Sequence, residues 1–234
     1  MKKPIAIIEM GTSPEIVIKQ VGAQSQWFID ALDWQPEQYR IYRPEWQDAL
    51  PAKDEVSCVI ISGSWSMVTE KLDWSERVAE WVRQAMDLQI PILGVCYGHQ
   101  LMAYALGGKV NDNPKGPEQG MRLLSQRETN IVTDPLLEGI PSEFPAWLCH
   151  YQTVSQPPQG AEVLLKSEQD DHQMLRYNSR TYSVQFHPEF SRQTMAACYQ
   201  AEDKLNSTLE NELACCAEPE QALTILRRFT EIWS

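Results

Sequence analysis

PILGVCYGHQ, residues 91–100, runs from a continuous apolar stretch into a cysteine between two glycines, and then straight into a helical pattern. The apolar run 91–96 reads as a buried strand, and residues 98–106 as a short helix that stops at Gly107-Gly108. A strand that turns this sharply into a helix has the form of a nucleophile elbow. Gly94 and Gly98 suit it because the elbow brings backbone against backbone, where a Cβ would clash. The turn lifts the Cys96 sulfur above the sheet edge at the start of the helix, whose dipole and free N–H groups favour a thiolate. The amide of Tyr97 then points to where an oxyanion forms after attack on a carbonyl. A cysteine taken at random is an ordinary buried residue; the flanking glycines make this one a candidate nucleophile.

The same alternation of strand and helix extends to both sides of the elbow. PIAIIEM (4–10) is a strand run followed by Thr12-Ser13-Pro14-Glu15, where a hydroxyl, a proline and an early acid start a helix. EQYRIYR (37–43) alternates as a second strand, and VSCVIISG (56–63) is apolar enough to be covered on both faces. Trp74, Val78, Trp81, Val82, Ala85 and Met86 fall on one stripe of a helix over 74–88. This pattern predicts an α/β fold with a mostly parallel open sheet and helices on both faces. From 109 to 160 the chain is richer in proline and loops, and GMRLLSQ (120–126) and TNIVTD (129–134) read as antiparallel strands. Residues 161–166 and 181–187 read as further strands. Beyond 191, Met195, Tyr199, Glu202, Leu205, Leu209 and Leu213 keep helical spacing with one polar member, and a last helix begins at Pro219. The expected organisation is one domain over 1–234, with a core of about 4–190 and a helical segment over 191–234.

The chain has 234 residues, 43% hydrophobic and 22% charged, an ordinary globular composition. Its net charge of −12 repels polyanions, and the longest basic run is Arg227-Arg228, so no nucleic-acid role is expected. Glu9 interrupts the N-terminal apolar run before a leader can form, and no run approaches the ~20 apolar residues that cross a bilayer. A cytoplasmic protein with no membrane partner is the expectation. The six cysteines show no repeated spacing and read as reduced thiols, and no His or Cys pair has ligand spacing, so neither metal nor cofactor is expected.

A thiol nucleophile needs a base. Of four histidines, His99 lies in the elbow helix and cannot turn back to the sulfur, while His172 sits in the polar stretch EQDDHQ. His187 closes the run TYSVQFHPE, and Pro188 keeps it extended. In an extended segment i and i+2 share a side, so Glu189 can hold the imidazole tautomer. Cys96, His187 and Glu189 thus make a candidate triad.

With elbow and base both located, the sequence resembles the class I, triad-type glutamine amidotransferases, and among them stand-alone proteins similar to the amidotransferase domain of GMP synthase. The likeness rests on ISGSWSMV (61–68), PILGVCYGHQLMAYALGGKV (91–110), NPKGPEQG (113–120) and VQFHPE (184–189). It implies the flavodoxin-like sheet of that family with a small antiparallel portion. It also implies that Cys96 attacks the side-chain amide of glutamine, that ammonia leaves with a proton from His187, and that water hydrolyses the γ-glutamyl thioester. Gly63 would give a second oxyanion amide beside that of Tyr97, and Gln100 would help position the glutamyl group. Many family members have a second glycine where this chain has Ser64, and the Gly-Ser form suits the GMP-synthase-like branch. In CHYQTV (149–154) the family pattern has His followed two residues later by Asp, where this chain has Gln152, which removes a charged contact to a substrate ammonium. His150 and Tyr151 fall in this substrate-binding segment; His150 reads equally well as a loop residue satisfied by hydrogen bonds. The chain has neither the Ser-Gly-Gly-x-Asp-Ser loop of the family's synthetases nor a P-loop, so the ammonia would pass to a separate synthase subunit. A γ-glutamyl peptidase acting on a peptide or amine conjugate and a non-catalytic binding module are the alternatives.

Overall fold

The computed structural model describes residues 2–127 and 134–234. Strands β1 (Ile5–Ile8), β2 (Tyr39–Tyr42), β3 (Val59–Ile61), β4 (Ile92–Val95), β5 (Lys109–Asp112) and β6 (Glu118–Gln126) are followed by β7 (Glu143–His150), β8 (Gln152–Gln156), β9 (Glu162–Lys166), β10 (Met174–Arg176) and β11 (Thr181–Val184). The helices are α1 (Glu15–Val21), α2 (Gln24–Leu32), α3 (Asp73–Asp87), α4 (Tyr97–Ala105), α5 (Arg192–Ala201), α6 (Ser207–Cys215) and α7 (Glu220–Trp233). No helix among the described residues is long and apolar enough to cross a membrane. Of the expected strand TNIVTD, residues 129–133 lie outside the described residues.

One sheet of nine strands runs in the order β2-β1-β3-β4-β11-β10-β9-β6-β7. From β2 to β11 every neighbour is parallel, and from β11 to β7 every neighbour is antiparallel. A separate antiparallel ribbon pairs β5 with β8. The antiparallel portion therefore extends the main sheet as well as forming the ribbon.

Alternation along the strands splits the core into two layers. Ile5, Ile7, Ile60, Leu93 and Val95 pack on one face with Phe28 and Ile29 of α2 and Ile225, Leu226 and Phe229 of α7. Ala6, Ile8, Val59, Ile61 and Ile92 pack on the other with Val78, Val82 and Ala85 of α3 and Leu101 and Met102 of α4. Each strand is thus buried on both sides, which is why its sequence is a continuous apolar run and not an alternating one. Trp74, Trp81 and Met86 flank the α3 stripe partly buried.

Two elements depart from what local sequence suggests. Helix α2 has no capping side chain of its own; Glu9, buried at the end of β1, accepts from the Ser25 N–H at 2.9 Å and binds Arg43 Nε at 2.9 Å. The acid that breaks the N-terminal apolar run therefore caps a helix that starts 15 residues later. The helical spacing beyond 191 is interrupted at Glu202, the C-cap of α5, and Asp203 has φ 54°. Tyr199 and Leu213 nevertheless share one apolar cluster, joined by partly buried Leu205 and Leu209, so the stripe survives the break in the backbone.

Candidate active site

Cys96 joins β4 to α4 with φ 51° and ψ −100°, a backbone state costly for a side chain with a Cβ. The surrounding structure over-determines it. The Cys96 N–H donates to Val184 O at 2.8 Å and the Gly98 N–H to Ser62 O at 3.1 Å. A Cβ on Gly94 would lie 2.6 Å from Gly98 O, and one on Gly98 would strike the Ile61 carbonyl. Both glycines are therefore required by close backbone approach, as the elbow predicts.

The second half of the site comes from the continuation of β11. The His187 N–H donates to Trp147 O at 2.8 Å, tying the segment to β7, and the imidazole stacks on Phe190 with centroids 3.8 Å apart. His187 Nδ1 and Glu189 Oε1 are 2.8 Å apart, both side chains buried. Burial alone would lower the His187 pKa, but the Glu189 carboxylate, and after it the Cys96 sulfur, outweigh burial and hold it well above the ordinary value. The Cys96 Sγ also lies 3.7 Å from Cys149 O. The amides of Gly63 and Tyr97 make no hydrogen bond among the described residues, and a Cβ built on Gly63 would touch both His187 Cε1 (3.2 Å) and Cys96 Cβ (3.8 Å). Cys96, His187, Glu189 and the two unbonded amides thus converge on one spot.

Two small cavities flank Cys96. The first, about 60 Å³, is lined by Gly63, Ser64, Cys149, Tyr151, His187 and Glu202. The second, about 30 Å³, is lined by Ser64, Gln100, His150, Tyr151 and Gln152. A larger cleft of about 560 Å³ touches Glu189 and Phe190 but neither Cys96 nor His187, so the reacting groups do not open into it.

The four expected substrate contacts, Ser64, Gln100, His150 and Tyr151, all line the cavity of about 30 Å³, and Ser64 and Tyr151 line that of about 60 Å³ too. Ser64 Oγ accepts from the Ser66 N–H at 3.1 Å. Gln100 Nε2 donates to Gln152 O (2.7 Å) and Gln185 Oε1 (3.0 Å). His150 is buried with both ring nitrogens engaged, Nδ1 at 2.9 Å from Gln152 O and Nε2 at 3.1 Å from Glu118 Oε2. Gln152 Nε2 donates to Thr69 Oγ1 (2.8 Å) and Asp112 Oδ1 (2.9 Å), so a carboxylate at 152 would face that of Asp112. His99 is buried against Ser183 Oγ at 2.7 Å, with burial pushing its pKa down to about 3. Among the lining residues that the sequence reading missed as site members are Cys149, Cys198 and Glu202. A hydrogen bond from Cys198 holds the Cys149 thiol below its usual range. Only Glu202 left a signal, as the lone polar residue in an apolar stripe.

The fold agrees with the comparisons. The chain belongs to the class I glutamine amidotransferases: the family model "Glutamine amidotransferase class-I" matches residues 18–203. Over 189 residues it is 31% identical to a glutamine-hydrolysing GMP synthase of Thermosipho melanesiensis, covering 80% of this chain and 33% of that protein. The chain therefore spans about a third of the length of this relative. It is 24% identical over 243 residues to γ-glutamyl peptidase 5 of Arabidopsis thaliana, covering 94% and 91% of the two chains. A solved glutamine amidotransferase of Thermotoga maritima shares the fold at 19% identity, with a TM-score of 0.75 over 100% of this chain and 99% of that one.

Proposed function

We propose that the chain, acting as one amidotransferase domain, hydrolyses the side-chain amide of glutamine and delivers the ammonia to a separate synthase subunit. The observation that carries this reading is the 2.8 Å His187–Glu189 bond beside a cysteine held at φ 51°. Cys96 Sγ adds to the amide carbon, and the N–H groups of Gly63 and Tyr97 hold the oxyanion that forms. His187 gives its proton to the amide nitrogen, the C–N bond breaks, and ammonia leaves a γ-glutamyl thioester. His187 then takes a proton from water, hydroxide adds to the thioester, and glutamate departs as the sulfur recovers its charge. Glu189 orients the imidazole and stabilises its protonated form.

A second reading, hydrolysis of γ-glutamyl peptides, is favoured by one observation, the match to a γ-glutamyl peptidase across nearly the whole of both chains. One assay separates the two. Ammonia release from L-glutamine and amine release from a series of γ-glutamyl peptides are measured, with and without candidate synthase partners, for wild type and Cys96→Ala. Glutamine turnover that falls by about 10⁴-fold or more in the variant is the expected result. Preference for the peptides moves the assignment to a peptidase, and no turnover of any of them overturns both readings.

A further inference from the structure

The rim of the 60 Å³ cavity carries a charged network that the elbow chemistry does not use. Glu202 reaches it from the C-cap of α5, and its Oε2 accepts from Tyr151 Oη (2.7 Å), Gln119 Nε2 (2.9 Å) and Lys204 Nζ (2.7 Å). Lys204 Nζ also donates to Gln119 Oε1 (2.9 Å) and Tyr151 Oη (2.7 Å), which uses all three of its protons. One carboxylate oxygen is therefore locked by three donors, while Oε1 accepts no hydrogen bond among the described residues. Burial alone would raise the Glu202 pKa, but the bonds from Lys204, Gln119 and Tyr151 outweigh it and hold the carboxyl below its usual range. Glu202 is an ionised acceptor with a fixed orientation and a free oxygen, in the cavity that also holds Cys96 and His187.

From this geometry we infer that Glu202, with Lys204 behind it, recognises the zwitterionic α-amino-acid head of the γ-glutamyl donor, Oε1 taking the ammonium and the Lys204 charge, its protons already engaged, favouring the carboxylate at longer range. The charges of Glu202 and Lys204 cancel, so the pair has little pull on a bare cation. It is complementary to a group that carries both signs a few ångströms apart. Cys96, Tyr151 and Glu202 line one cavity, and Cys149 O in the same lining lies 3.7 Å from the Cys96 sulfur. Between the amide carbon and the α-carbon of a glutamyl group lie three C–C bonds of about 1.5 Å. Gln152, where the family pattern has Asp, gives its amide protons to Thr69 and Asp112 and brings no charge. Glu202 supplies that charge from a different element. The head group is common to glutamine and to γ-glutamyl peptides, so the inference holds for either reading above while resting on their shared glutamyl donor.

Calorimetric binding to Cys96→Ala protein tests it without requiring turnover. The titrants are L-glutamine, its des-amino analogue glutaramic acid, and its des-carboxy analogue 4-aminobutyramide. L-Glutamine is expected to bind more tightly than either analogue. Adding Glu202→Gln, which keeps the shape of the side chain, should weaken L-glutamine by about 10- to 100-fold and leave the des-amino analogue unchanged. An equal loss for both ligands, no loss, or no L-glutamine binding at all would overturn the inference. Ammonia release by the wild type reports separately on the amidotransferase reading: turnover with binding unmoved by Glu202→Gln sinks the subsite alone.

Discussion

The elbow and the rim of the cavity are built by opposite strategies. At the elbow, two glycines, a positive φ at Cys96 and the start of a helix lie together within residues 94–98, and the adjacent strands hold them through Val184 O and Ser62 O. At the rim, Gln119 comes from β6, Tyr151 from the turn after β7, and Glu202 and Lys204 from the end of α5. Those residues meet only once the antiparallel half of the sheet and the C-terminal segment have folded together. The surroundings of the candidate nucleophile are thus legible in one short stretch, while the residues that would recognise a substrate are assembled over long range. A fold organised this way can change what it binds without disturbing how it reacts.

The largest effect that would break this contrast is a side chain at Gly98. Its Cβ would strike the Ile61 carbonyl, and backbone at the middle of the sheet has little room to move. Gly98→Val is expected to lose about 3 kcal/mol or more, or to be recovered only as insoluble protein, by denaturant unfolding against wild type. Normal stability would show that the elbow is looser than the glycine contacts require.

Glu189→Gln acts on the base instead of the backbone. Activity should fall on the order of 10²- to 10⁴-fold, because the imidazole loses the partner that orients it. The pH dependence has a definite sign. Glu189 and Cys96 raise the His187 pKa well above its ordinary value despite burial. A raised pKa adds stability that is fully present below the unfolded value, about 6.5, and is lost as pH rises through the native pKa. The wild-type advantage in Tm over Glu189→Gln should therefore shrink as pH is raised from about 6. An advantage that grows with pH would mean His187 is not the titrating group.

The same contrast explains what the sequence made legible. The parallel strands were plain because both faces are buried, and the elbow because glycine, cysteine and helix are contiguous. His187 and Glu189 could be paired because they are neighbours in an extended segment. Helix α2 was hidden because its cap, Glu9, lies just beyond β1 and not next to the helix in sequence. Strand β7 contains Pro145, and β5 and β8 are short and polar, so no apolar period marks them. The break at Glu202 was invisible because the apolar stripe continues past it. What escaped either depended on a partner distant in sequence, as the α2 cap does, or left no change in the apolar pattern.

The most direct test of the central claim uses three thiols that share one cavity, Cys96, Cys149 and Cys198. The protein is treated with a glutamine analogue carrying an electrophilic carbon in place of the amide, and the adduct is mapped by mass spectrometry. A single adduct on Cys96, absent in Cys96→Ala and formed much more slowly in His187→Ala, is the predicted result. An adduct on Cys149 or Cys198 with Cys96 untouched would contradict it.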